Sequence, residues 1–170
     1  LPLKEAARQP LGVVALILLE SGHSCVHLFH NGNHKLQREW GHEQTNFDSY
    51  LKSQFSDEII DAIGSARLDY YREVASETAN QVRIALSQLP SDEVEGELSL
   101  ALLGGNGALA RGLIETDLIE EMANSLLCEV KSANPFRRMT LGEGVDSIAL
   151  DRDAPLLMVA CGLAMREASA

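Results

Sequence analysis

Two stretches carry the residue types that could do chemistry. The first is ESGHSCVHLFHNGNH, residues 20–34, which holds four of the chain's five histidines, at 23, 27, 30 and 34, with Cys25 among them. Imidazole and thiolate are preferred ligands of zinc and copper, and a helix here would align all four rings on one stripe. The second is LLGGNGALARGL, residues 102–113, which reads as a strand, a glycine-rich turn and a helix. Gly104, Gly105 and Gly107 would let the backbone turn sharply and approach a ligand with no Cβ in the way. A helix following directly would aim its free amides and positive dipole end at that turn, a position suited to an anion or nucleotide. The spacing matches neither the dinucleotide fingerprint nor a phosphate-cradling loop, since no Gly-Lys-Ser/Thr follows. Tight turns also use glycine for structural reasons alone.

Which of these chemistries is open depends on the elements that would hold them. After Pro10, LGVVALILLE is short, aliphatic and β-branched, the composition of a buried strand. SGHS signals a turn, and in SCVHLFHN Leu28 faces away from His27 and Phe29. Asn31-Gly32 is a strong hairpin signal. HKLQREWG then alternates Leu36, Arg38 and Trp40 against Gln37 and Glu39. Residues 11–41 therefore read as three antiparallel strands, and a helical metal stripe through Asn31-Gly32 is disfavoured. His23 and His27 share one strand face, while His30 and His34 lie on the other or across the turn. The expected role is decoration of a solvated sheet face, with no native metal site, although the hairpin can bring His27 or His30 near His34 and so permit adventitious nickel or zinc binding.

The period then changes. DSYLKSQF is a short helix with Asn46 or Asp48 as N-cap. Residues 56–89 form a long helical run whose buried face takes Ile59, Ile63, Ala66, Tyr70, Val74, Ala79, Val82 and Leu86, and Gly64 is a point where it would divide. An acidic loop at 89–97 leads to a strand over ELSLALLGG. An amphipathic helix over ARGLIETDLIEEMANSLL and an edge strand in CEVKSANPF follow. RRMTLGEGVDSIALDRD reads as irregular, and APLLMVACGLAMREASA as a closing helix with Pro155 in its first turn. The order β-β-β-α-α-β-α-β-α describes one α/β domain over 1–170, with a connector at 1–10, a helical insertion at 42–95 and the closing helix at 154–170.

At 170 residues and 45% hydrophobic, the chain can bury a real core. A formal net charge of −11 argues against nucleic acid and against an anionic membrane surface as partners. The longest apolar run, residues 12–19, falls well short of the roughly 20 residues that span a bilayer. It lacks the basic leader and small-residue cleavage site of a signal peptide. Cysteines at 25, 128 and 161 are odd in number and widely spaced, which suits reduced thiols in a cytosol. Cys128 and Cys161 read as inert small hydrophobes, and Trp40 and Tyr70-Tyr71 as packing residues. A hydrolase triad of Ser24, His42 and Asp48 has nothing in its spacing to favour it.

The element order and ALLGGNGALARGLIE resemble the second lobe of an actin-like ATPase, in which a Gly-Gly turn after a strand meets the adenosine. SANPF at 132–136 and DAPLLMVACGLAMRE at 153–167 resemble the tail of type IV pilus assembly proteins of the PilM type, and equally of the related MSHA biogenesis protein MshI. The hairpin segment resembles the family's second phosphate loop, with Asn31-Gly32 in the turn and Arg38 near the end of the third strand. The resemblance covers nearly the whole chain, most strongly residues 98–167.

The resemblance implies an actin-like (RNase H-like) lobe from a cytoplasmic scaffold, peripheral to the bacterial inner membrane. Such a scaffold holds the cytoplasmic tail of a PilN-like inner-membrane protein, beside other inner-membrane pilus components. It also implies a nucleotide position formed by Glu20, Ser21, Gly22 and His23 with Gly104, Gly105, Asn106 and Gly107. Nucleotide-competent members carry Asp-x-Gly and a nearby Thr where this chain has Glu20-Ser21-Gly22-His23 and Val26 or His27, and Gly41-His42 stands where the family has Gly-Gly. A carboxylate that positions Mg²⁺ through water tolerates an added methylene poorly. Both departures point to a degenerate site closer to MshI, with no catalytic residue assigned. ATP with Mg²⁺ is expected, if anywhere, in a two-lobed parent, and no cofactor in this lobe alone. The closing helix would expose Leu156, Leu157, Val159 and Leu163, inviting a homodimer. Two alternatives are a working ATPase with Glu20 positioning metal-bound water, and the cytoplasmic domain of a type II secretion protein of the GspL kind. GLAMRE fits the pilus members better than the latter.

Overall fold

The computed structural model describes residues 12–20, 22–41, 63–90, 97–105, 109–110, 113–114, 116–137 and 139–168. Three strands, β1 (Val13–Leu19), β2 (His23–His30) and β3 (Asn33–Gly41), meander antiparallel, as their period-two pattern predicts. Asn31 at φ 51° and Gly32 at φ 77° supply the positive-φ pair that closes the β2–β3 hairpin. Helix α1 (Ile63–Ser87) leads to β4 (Leu98–Gly104), which pairs parallel with β1. Helix α2 (Thr116–Leu126) then crosses to β7 (Glu129–Ser132), parallel to β4. The five-stranded sheet has the order β3-β2-β1-β4-β7.

Alternation divides the sheet into two unequal faces. Ala15 and Ile17 of β1, Val26 and Leu28 of β2, and Ala101 and Leu103 of β4 are fully buried on one face. That face packs on Tyr71, Ala75 and Val82 of α1 and on Leu118 and Met122 of α2, in one continuous cluster. Trp40 and Tyr70 join the same core, as their types predict. On the opposite face Val14, Leu16, Phe29, Leu100 and Leu102 are only half-buried and stand outside that cluster. Arg38 is braced into the fold, its Nε donating to Gln81 Oε1 of α1 at 2.9 Å. The two helices are tied by Arg83 Nη2 donating to Ser125 O at 2.7 Å.

Several expectations change. The glycine turn does not run straight into a helix. A two-stranded ribbon, β5 (Leu109–Ala110) against β6 (Leu113–Ile114), intervenes, and α2 starts only at Thr116. The segment read as irregular contains a helix, α3 (Ser147–Asp153), because Asp146 caps it by accepting from the amides of Ile148 and Ala149 at 3.0 and 3.1 Å. Pro155 lies in a separate 3₁₀ turn, Ala154–Leu156, ahead of the closing helix α4 (Met158–Ala168). Gly64 lies in the first turn of α1 as described, and the helix continues unbroken to Ser87. The connector 1–10, the DSYLKSQF helix and the paper triad's His42 and Asp48 lie outside the described residues.

Candidate functional site at the carboxyl ends of β1 and β4

The two sequence-identified turns meet at one end of the sheet. Because β1 and β4 run parallel and in register, with Leu18 beside Gly104, their following turns emerge side by side. In open α/β sheets this edge is where ligands bind. The first turn is tight. The Glu20 amide donates to His23 O at 3.1 Å, and Gly22 takes φ 83°, a conformation that excludes most side chains. Glu20 is half-buried and His23 exposed. Ser21 lies outside the described residues.

The second turn is held by the chain itself. Gly105 takes φ 89°, and a Cβ built there would fall on the backbone of Leu19, the residue that precedes Glu20. Its amide donates to Pro155 O at 3.0 Å. A Cβ on Gly104 would come within 3.1 Å of Pro155 O and 3.2 Å of Leu18 Cδ2. Both glycines are buried. Three backbone segments (the end of β1, the end of β4 and the 154–156 turn) therefore converge where only glycine fits. Asn106 and Gly107 lie outside the described residues.

The expected dipole contribution at the glycine turn is not available from α2, since the β5–β6 ribbon separates that helix's first turn from Gly105. The Gly105 N–H, which sequence reasoning would offer to a ligand, already has a partner within the protein. Sequence reasoning missed Pro155 as that partner, because nothing local links residues so far apart. Leu18 and Leu19, the residues that lead into Glu20, are brought against Gly104 and Gly105, while Arg38 points into the α1 contact rather than to the turns.

The histidines distribute as strand geometry dictates. His27 sits half-buried on the less buried sheet face beside Cys25 and opposite His34, with Cys25 Sγ 3.6 Å from His27 Nε2. Burial lowers the His27 pKa below its ordinary value and the neighbouring His34 adds to this, while Glu39 acts in the opposite sense. Burial pushes the Cys25 thiol up, with the charges of Glu39 and Glu20 adding to it.

A family model described as type IV pilus assembly protein PilM matches residues 36–168. Among solved structures, a PilM-PilN type IV pilus biogenesis complex aligns with a TM-score of 0.61 and 20% identity, over 94% of this chain and 47% of that one. The ethanolamine utilization protein EutJ from Carboxydothermus hydrogenoformans aligns with a TM-score of 0.50 and 15% identity, over 91% of this chain and 48% of that one. No curated protein matches the chain. At these identities the structural likeness is one of fold, the actin-like α/β lobe with its five-stranded sheet, and this chain spans about half the length of either neighbour.

Proposed function

This chain belongs to the family of the type IV pilus assembly protein PilM, and from that premise we propose that it is a scaffold lobe of a type IV pilus assembly machine. In its two-lobed parent it works at the cytoplasmic side of the inner membrane, where the parent holds the cytoplasmic tail of a PilN-like protein alongside other inner-membrane pilus components. Among the described residues no helix is long and apolar enough to cross a membrane, which is compatible with a peripheral position. The nucleotide site is degenerate, as in the MSHA branch, and the work of the lobe is binding rather than hydrolysis.

The observation that carries the degenerate-site reading is the occupied glycine turn. The Gly105 amide is taken by Pro155 O, and the space beside it by the Leu19 backbone. The glycines are thus accounted for by packing, without a ligand. Glu20 in place of the family's Asp supports the same reading.

One observation favours a second reading. The end of β1 that leads into Glu20 lies against the Gly104-Gly105 turn at the carboxyl ends of adjacent parallel strands, the place where α/β sheets bind ligands. In that reading the parent takes ATP with Mg²⁺, Glu20 orienting a metal-bound water and the glycine turn meeting the adenosine.

Calorimetric titration of a PilN-like tail peptide, and separately of ATP with Mg²⁺, into the two-lobed parent and into this lobe decides between them. The scaffold reading expects the peptide to bind the parent and ATP to bind neither. ATP binding to the parent that is lost in Glu20→Gln establishes the second reading. A parent that ignores the peptide overturns the scaffold role.

A further inference from the structure

The less buried face of the sheet carries an imidazole pair outside the candidate site. His27 Nδ1 on β2 lies 3.3 Å from His34 Nε2 on β3, with ring centroids 5.4 Å apart. The strands set this up. An irregularity after Leu28 places His34 opposite Phe29, and the two rings pack edge to face at 5.3 Å. Both histidines are therefore mounted on paired strands, and His34 has an aromatic wall against its ring.

Two nitrogens facing each other at this distance leave room for one N–H between them, because a second would point straight at the first. The same gap suits a metal ion. Zinc–imidazole bonds of about 2.05 Å in tetrahedral geometry place two ligand nitrogens about 3.3–3.4 Å apart. We propose that His27 Nδ1 and His34 Nε2 form a chelate for a zinc-class divalent ion, its remaining positions filled by water.

The neighbours fit that role. Metal-bound histidine characteristically donates its second N–H to an outer partner that fixes the tautomer. Here His27 Nε2 has Cys25 Sγ at 3.6 Å for that purpose. The thiol lies at His27 Nε2, the ring nitrogen on the side away from His34, so it acts as outer partner rather than ligand. Among the described residues no set of three His, Cys, Asp or Glu side chains converges on one point. The site is therefore a two-ligand chelate with open positions.

Zinc chloride titrated calorimetrically into the whole chain tests this, with cobalt(II) absorption as a second readout. One ion should bind per chain, and His27→Gln or His34→Gln should each weaken binding at least tenfold. His23→Gln, at the far end of β2, should leave it unchanged, and Cys25→Ser should weaken it by less than either ligand change. His34 is exposed, so His34→Gln retains the fold and circular dichroism verifies this. Binding that survives both ligand substitutions, an equal loss in His23→Gln, or no binding to millimolar zinc overturns the proposal.

Discussion

Gly105 is the residue on which two distant parts of the chain close. Its positive φ and the Leu19 backbone in its Cβ space leave no room for a side chain. Gly105→Ala should destabilise the protein by about 2–4 kcal/mol in urea denaturation. Gly142→Ala, which meets nothing within 4 Å, should fall within about 0.5 kcal/mol of the parent. A second residue-scale prediction concerns Cys128, whose thiol is raised above its ordinary 9.0 by burial, against a lowering hydrogen bond from the Ala101 backbone and with Glu129 adding to the rise. The folded chain keeps that proton to higher pH than the unfolded chain, so stability is lost as pH climbs through and above 9.0. Urea midpoints measured from pH 8 upward should fall less steeply in Cys128→Ala. At this scale the sequence marked a sharp turn at Gly105 but not what makes it tight. A Gly-Gly turn looks alike whether a ligand or the chain's own backbone approaches it, and Pro155 is a partner that only the fold supplies.

The strands were the most legible elements. β1–β3 announce themselves by period-two alternation and the Asn-Gly turn, and α1 by the spacing of Tyr70, Val74, Ala79 and Val82. What escaped was short. The β5–β6 ribbon has two residues per strand, too few for any period, and its apolar residues extend the α2 pattern backwards. α3 has seven residues and no buried face, so its signal was confined to the Asp146 cap. Asp146→Ala should lower stability by about 1 kcal/mol, visible as faster amide exchange over 147–153 than elsewhere. Met122→Ala, at the centre of α2's buried face, should cost about 2–5 kcal/mol in equilibrium denaturation, because it opens a cavity beneath the sheet.

For the whole molecule, the element order indicated the architecture together with its resemblance to an actin-like lobe, and three meandering strands followed by crossovers leave few sheet topologies. The distribution of exposed apolar side chains was only partly foreseen. The closing helix was expected to expose them, but the same character begins much earlier. Met139, Leu141, Val145, Ile148, Leu156, Val159 and Leu163 are all exposed, Ile148 to 82% and Val159 and Leu163 to 58%. Side chains this exposed contribute little to the lobe's own stability. Val159→Ser combined with Leu163→Ser should shift denaturation by no more than about 0.5 kcal/mol per site. In sedimentation velocity the same pair should abolish any concentration-dependent association.

The hydrogen bond from Gly105 to Pro155 O has a thermodynamic consequence. Any guest that claims the Gly105 amide must first evict the Pro155 carbonyl, and Pro155 stands at the root of α4. Occupancy of the turn and the seating of that helix then become two readings of one equilibrium, each biasing the other by the same free energy. A lobe built this way would report an arrival at the sheet's edge by releasing its own tail.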